Sequence, residues 1–185
     1  MHKENELSLN LIKLNTNSKD KEYFEQINNE AFPVSERLSF DEIFAFASDT
    51  NTDVLGIYDD EIPLGFAIIL KNSECGYIYF LAIDNRFRSK GYGSAALQKM
   101  TEIYSDLQLV LDFELIDENA ENYVQRVQRK NFYLRNGFHE TGNYTMLGNE
   151  RFEVVCTNGE LCKPALKDLL HILHEHRPEF PDILM

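Results

Sequence analysis

Residues 81–93 read Leu81-Ala82-Ile83-Asp84-Asn85-Arg86-Phe87-Arg88-Ser89-Lys90-Gly91-Tyr92-Gly93. An apolar segment rich in aromatic and β-branched residues, Gly76 to Ile83, reads as a strand. A helix is expected over Tyr92 to Tyr104, because Ala95, Ala96, Leu97, Met100 and Ile103 recur at helical spacing. Asn85 to Thr101 carries four bases, Arg86, Arg88, Lys90 and Lys99, and no acid. Gly91 and Gly93 leave backbone amides uncovered at the helix amino terminus, where unsatisfied N–H donors and the helix dipole favour an anion such as a pyrophosphate.

Outward from this segment the chain alternates irregularly. A first strand is expected near Leu7 to Leu14, and a helix over Asp20 to Phe32 with Tyr23, Phe24, Ile27 and Ala31 on one face, stopped by Pro33. Ser39 and Glu42 form a capping box ahead of Ile43, Phe44 and Ala47, so a second helix begins there. Thr52 to Tyr58 and Ile62 to Leu70 are strand-like about the polar Asp59-Asp60-Glu61 and read as an antiparallel hairpin. Downstream, Gln108 to Leu115 is a strand, Asn119 to Asn136 a helix stopped by Gly137, and Phe138 to Leu147 with Arg151 to Thr157 a hairpin about Gly148-Asn149. Pro164 opens a terminal helical extension over about 164–177, whose Leu166, Leu169, Leu170 and Leu173 would either close the core or form a homodimer contact. The order of elements gives a mixed α/β fold with several antiparallel hairpins rather than a regular doubly wound sheet.

The length, 185 residues without repeats or a linker-like stretch, predicts a single domain over 1–185. With 43% hydrophobic and 12% aromatic residues the chain can bury a core, so its net charge of −13, from 31 acids and 18 bases, is not that of a disordered tail. That balance argues against a nucleic acid partner, since phosphate backbones are held by excess Lys and Arg. The longest apolar run, Leu64 to Leu70, is far short of a membrane span, and Met1 to Asn10 has no secretory-type apolar core, so a cytoplasmic protein is expected. Cys75, Cys156 and Cys162 contain no C-x-x-C pair, and His171, His174 and His176 do not reproduce H-E-x-x-H, so neither a disulfide framework nor a metal is expected. Arg126, Arg129 and Lys130 are expected on an exposed helix face.

Two other phosphate-binding loops are set aside on spacing. Gly91-x-Gly93-x-x-Ala96 fits a dinucleotide fingerprint, with Asp112 and Glu114 placed where a ribose-binding acid would stand. In that fingerprint the strand runs almost directly into the first glycine, whereas here Asp84 to Lys90 intervene. A Walker loop is excluded because no Gly-Lys-Ser or Gly-Lys-Thr follows.

Leu81-Ala82-Ile83 followed by Arg88-Ser89-Lys90-Gly91-Tyr92-Gly93 resembles the acetyl-CoA loop of the GNAT superfamily of N-acetyltransferases. Asn131-Phe132-Tyr133-Leu134-Arg135-Asn136-Gly137-Phe138 is similar to that superfamily's second hallmark, a helix carrying Phe-Tyr and ending in Gly-Phe. The similarity covers roughly Ala31 to Leu147. It implies a mostly antiparallel central sheet flanked by helices and splayed at the acetyl-CoA site. It also implies an enzyme in which an amine attacks the thioester of acetyl-CoA directly, in one ternary complex. On this resemblance the cofactor-binding residues are Leu81, Ala82, Ile83, Arg88, Ser89, Lys90, Gly91, Tyr92 and Gly93, with a backbone amide of the strand ending at Ile83 polarising the thioester. Tyr133 is the expected acid for the departing thiolate; Glu114, Glu36 or a water held by either is the expected base. The acceptor is an amine, drawn as a cation toward Met1 to Glu61, which holds 14 acids against 5 bases, a net of −9. A non-catalytic acyl-CoA sensor that keeps the loop is the alternative.

Overall fold

The computed structural model describes residues 9–180 together with Leu184 and Met185. Along the chain lie β1 (Leu9–Lys13), α1 (Lys21–Ala31), α2 (Phe40–Asp49), β2 (Thr52–Asp59), β3 (Ile62–Lys71), β4 (Cys75–Ile83), a 3₁₀ turn (Asn85–Phe87), α3 (Tyr92–Ile103), β5 (Gln108–Glu114), α4 (Tyr123–Arg135), β6 (His139–Leu147), β7 (Glu150–Cys156) and α5 (Lys163–His176). The fold is mixed α/β, built on a mostly antiparallel sheet with five α-helices among the described residues. Two compact units divide the chain, and both β3 and β4 contribute residues to each. The first unit comprises the chain up to Ile69 with Tyr79–Ile103; the second comprises Leu70–Ile78 with Tyr104–Met185.

In the first unit β1, β2, β3 and the second half of β4 lie side by side in that order. β1 pairs antiparallel with β2 from Leu9↔Asp59 to Lys13↔Leu55. Of the expected first strand, Leu7 to Leu14, Leu7 and Ser8 lie outside the described residues, and β1 ends at Lys13. The link between β2 and β3, Asp60-Glu61, is two residues long and places Asp60 at φ 51°, which requires an antiparallel hairpin. α1 ends where Pro33 forbids a further turn, and α2 starts at the Ser39–Glu42 capping box, in which the Ser39 side chain accepts from the Glu42 N–H and the Glu42 side chain accepts from the Ser39 N–H. The apolar faces of both helices meet Val54, Tyr58, Phe66, Ile68, Phe80 and Ala82 of the sheet. Phe40 centres this core, its ring 5.1 Å from Phe66, 5.8 Å from Phe44 and 6.1 Å from Phe24.

In the second unit the first half of β4 is followed by β5, β7 and β6. β4 and β5 run parallel through Cys75↔Gln108, Gly76↔Leu109 and Tyr77↔Val110, where the ladder ends although each strand continues. β7 is antiparallel to β5 from Val110↔Cys156 to Glu114↔Phe152, and to β6 with a bulge between Glu140 and Asn143. Leu166, Leu169, Leu170 and Leu173 of α5 are buried within the monomer, which is the core-closing one of the two roles open to them.

The helix expected over Asn119 to Asn136 begins at Tyr123 instead. Asp117 Oδ1 accepts from the Asn119 N–H at 2.9 Å and from its side-chain amide at 3.2 Å, and the Ala120 N–H donates to the Asp117 carbonyl, so a side-chain turn competes successfully with the first helical turn.

One glycine bears directly on the end of β4. A Cβ built on Gly65 of β3 would stand 2.1 Å from the Ala82 carbonyl oxygen. Gly65→Ala must push the Ala82 backbone away, and the expected cost is about 1–3 kcal/mol, as for other forced overpacking, read as a lowered midpoint in urea unfolding.

Candidate functional site

The loop after β4 begins at Asp84, a buried carboxylate that organises the turn after it. Its Oδ1 accepts from the Arg86 backbone N–H at 2.8 Å, capping the 3₁₀ turn. Its Oδ2 accepts from the Tyr23 hydroxyl of α1 at 2.5 Å and from Arg86 Nη2 at 2.7 Å, while Arg86 Nη2 also donates to the Tyr23 oxygen at 2.9 Å. The Arg86 donors hold the Asp84 carboxyl well below the usual carboxylate range. Burial, followed by the hydrogen bond to Asp84, pushes the Tyr23 phenol up to about 12.

Beyond the turn, Arg88 Nε donates to the Ile83 carbonyl at 3.0 Å, folding the loop back on the strand end. Ser89 and Gly91 both adopt positive φ, 61° and 88°. Ala95 is the first α3 residue whose N–H reaches a carbonyl, that of Gly91, at 3.0 Å. The N–H groups of Tyr92, Gly93 and Ser94 therefore precede the first intrahelical bond and stand as donors at the positive end of the helix dipole. Tyr92 is fixed by its hydroxyl, which donates to Asp59 Oδ2 at 2.8 Å.

The sequence suggested four uncompensated cations here, and the structure reduces them to two. Arg86 is paired with Asp84 at 2.7 Å, and Lys99 with Glu102 at 3.3 Å, both acids lying just outside the acid-free window. Arg88 and Lys90 are exposed and have no carboxylate partner among the described residues; Lys90 rests over the Phe87 ring at 5.4 Å. Three amides and two cations without a carboxylate partner are the groups here that can attract an anion.

The remaining expected residues fall in separate places. Glu36 stands in the turn joining α1 and α2, half-buried, its N–H donating to the Pro33 carbonyl at 3.0 Å. Glu114 and Tyr133 belong to the second unit. Glu114, at the end of β5, is ion-paired with Arg129 of α4 and accepts from Asn122 Nδ2 at 3.3 Å. Its negative charge is already neutralised. The Tyr133 ring stacks on Phe113 of β5 at 5.6 Å and 11°, with Phe132 and Phe138 edge-on at 5.2 and 5.8 Å. Burial pushes its phenol up to about 12, and its hydroxyl has no hydrogen-bond partner among the described residues.

Of Arg126, Arg129 and Lys130, expected on an exposed face, Arg129 is exposed while Arg126 and Lys130 are half-buried, and all three pair with acids. Arg126 donates to the Leu115 carbonyl at 2.8 Å and pairs with Glu150 at 2.5 Å, and Lys130 pairs with Glu140 and with Glu153, the latter at 2.9 Å. Among the described residues, no three His, Cys, Asp or Glu side chains are grouped to hold a metal, and no helix is long and apolar enough to cross a membrane.

The sequence profile of the Acetyltransferase (GNAT) family matches residues 21–138, which takes in the anion loop, α3, β5 and α4. The chain belongs to this family. Solved GNAT structures share its fold. One is a GNAT-family protein from Bacteroides thetaiotaomicron, with TM-score 0.71 and 22% identity over 89% of this chain and 96% of the other. Another is the ribosomal-protein-S18-alanine N-acetyltransferase from Escherichia coli, with TM-score 0.57 and 18% identity over 84% and 96%. A third is the spermidine N-acetyltransferase from Vibrio cholerae in complex with CoA and spermine, with TM-score 0.59 and 16% identity over 80% and 94%. No curated protein matches the chain.

Two features escaped the sequence reading. Tyr23 and Asp84 stand 61 positions apart, so their bond left no local signal, although an Asp directly after a strand and two residues before Arg86 is a recognisable turn cap. Asp112 was considered only as a ribose ligand, yet an acid inside Leu109-Val110-Leu111-Asp112-Phe113 is itself a signal, since a carboxylate among apolar strand residues needs partners.

The clamp has a pH signature. An unfolded Asp titrates near 4 and the folded Asp84 titrates lower, so the unfolded chain binds more protons as pH falls. The clamp's contribution is present in full above about pH 5 and is lost as pH falls through the folded value. Asp84→Asn should cost about 2 kcal/mol at neutral pH, the loss of charge-assisted hydrogen bonds, and the gap from wild type should close in acid, as followed by thermal unfolding at stepped pH.

Proposed function

We propose that this GNAT-family chain is an acetyl-CoA-dependent N-acetyltransferase, working as one acetyltransferase domain, that acetylates a primary amine by direct attack in a ternary complex. The observation that carries this reading is the anion site: three unpaired amides at the start of α3 beside two uncompensated cations, in a chain with a net charge of −13. Such a site suits a pyrophosphate, and acetyl-CoA, when bound, supplies an acetyl group activated as a thioester. CoA is present in solved relatives of the same fold, the Vibrio cholerae spermidine enzyme and an aminoglycoside 6′-N-acetyltransferase.

The chain's residues divide the work. The Arg88 to Gly93 loop holds the phosphates, with Tyr92 and Gly93 presenting N–H donors. The Leu81-Ala82-Ile83 backbone, fixed beside Gly65, offers an amide to polarise the thioester carbonyl. A base, Glu36 or Glu114 directly or through a water, takes a proton from the amine nitrogen. The Tyr133 hydroxyl gives a proton to the sulfur as the carbon–sulfur bond breaks and the carbon–nitrogen bond forms. A phenol held near 12 remains a proton donor throughout the neutral range, which suits an acid. The acidic first third of the chain favours a cationic acceptor.

Thiol release from acetyl-CoA across polyamines, aminoglycosides, amino acids and peptides tests the reading. Amine-dependent release is expected; tight CoA binding with no release from any acceptor would make the chain a non-catalytic acyl-CoA sensor. Arg88→Glu and Gly91→Val should each weaken CoA binding at least about tenfold in calorimetry, one by reversing a charge that faces phosphate and the other by placing a β-branched residue at φ 88°. Unchanged affinity in both would refute the loop assignment. Tyr133→Phe should lower turnover roughly 100-fold, the scale of general acid catalysis, with CoA affinity preserved. Equal loss of both would make the tyrosine structural.

A further inference from the structure

Four acids whose side chains are little exposed are ion-paired. Asp53 pairs with Lys13 at 2.8 Å, Asp84 with Arg86 at 2.7 Å, Glu153 with Lys130 at 2.9 Å, and Glu114 with Arg129. Asp112 has no cationic partner among the described residues. Its carboxylate accepts from the Tyr77 hydroxyl of β4 at 2.9 Å through Oδ1 and from the Thr145 hydroxyl of β6 through Oδ2. Neutral hydroxyls only partly replace the water a carboxylate gives up. Burial accordingly outweighs both donors and raises the Asp112 pKa.

The other surroundings do not supply the missing charge. On β7 the residue opposite Asp112 is the apolar Val154. From α4 the Tyr133 phenol, which the Asp112 charge influences, is neutral, and Arg129 is paired with Glu114. Two accepting oxygens with one side-chain donor each retain lone-pair capacity for another donor.

We propose that the Asp112 carboxylate, framed by the Tyr77 and Thr145 hydroxyls, is the anchor for the ammonium group of the acceptor. The acceptor role rests on the acetyltransferase reading; the ammonium site itself rests on the charge accounting around β5. A primary ammonium fits because it brings one positive charge and three N–H donors to a carboxylate that lacks both, and charge-assisted hydrogen bonds of this kind recover the desolvation cost. Glu114, two residues on, is not equivalent, because Arg129 already occupies it.

The test is a carboxyl-carbon NMR titration of the full chain labelled at aspartate, with n-butylammonium as probe and n-butanol as neutral control. Asp112→Asn assigns the resonance. Butylammonium should lower the Asp112 midpoint by one unit or more, equivalent to at least tenfold tighter ammonium binding to the ionised form, and butanol should leave it in place. An unmoved midpoint overturns the proposal. In turnover, Asp112→Asn should raise the amine KM at least tenfold with the acetyl-CoA dissociation constant unchanged. If the variant does not fold, as its melting curve would show, the resonance is assigned in the wild type by backbone-to-carboxyl correlation and the wild-type titration decides alone. An Asp112 midpoint that answers to butylammonium in a protein that transfers no acetyl group would uphold the ammonium site and remove the acetyltransferase reading. Acetyl transfer with an unmoved midpoint and an unchanged amine KM would do the reverse.

Discussion

The Asp84 carboxylate is the point on which the first unit's functional loop depends. It sits one residue past the end of β4, and its own N–H is tied to the Leu64 carbonyl of β3 at 2.8 Å. Its two oxygens then gather the Arg86 backbone, the Arg86 guanidinium and the Tyr23 hydroxyl. Thus the strand, the 3₁₀ turn and α1 are fixed by one side chain. With that origin set, Arg88 can reach back to the Ile83 carbonyl, and the chain enters α3 through the left-handed conformations at Ser89 and Gly91. A loop fixed in this way would avoid, in the proposed role, the ordering cost that a flexible polyanion site incurs on binding.

Charge placement obeys the same constraint of local pairing. A net charge of −13 gives a repulsive background for anions, but the neighbours of each cation decide what a ligand meets. Arg86 and Lys99 are withdrawn by neighbouring acids, and Arg126, Arg129 and Lys130 by acids of β5, β6 and β7. Arg88, Lys90 and the α3 amides remain for an anion. The sparse basic complement is thereby concentrated rather than spread, and the strength of the site owes more to directed N–H groups than to a count of cations.

The parts of this arrangement visible in the sequence are those set by neighbours in the chain. The Ser39–Glu42 box closes over three residues, Gly137 takes φ 89° two residues past the end of α4, and Gly91 and Gly93 sit at the start of an apolar-periodic helix. The α4 start was misplaced because Asp117 offers Asn119 a hydrogen bond as good as the helical one, a competition that periodicity does not register. The Arg126-Arg129-Lys130 face looked solvated because its partners are contributed by strands up to 24 positions away. Tyr23 looked like a core aromatic until the fold brought it to Asp84. Long-range polar pairing, unlike apolar periodicity, leaves no pattern along the chain.

Tyr133 and Asp112 show how one physical effect can serve two ends. Desolvation is the largest influence on both and raises both pKa values, because it disfavours whichever form carries charge. For the phenol the neutral form is the proton donor, so burial preserves the state an acid requires, and stacking on Phe113 holds the ring in place. For the carboxylate the charged form is the one that can bind a cation, so burial leaves a free-energy deficit that the proposed ammonium would remove. The apolar lining of β5, which supplies Phe113 to one residue and a low-dielectric setting to the other, therefore favours a donor at Tyr133 and an affinity at Asp112 at the same time.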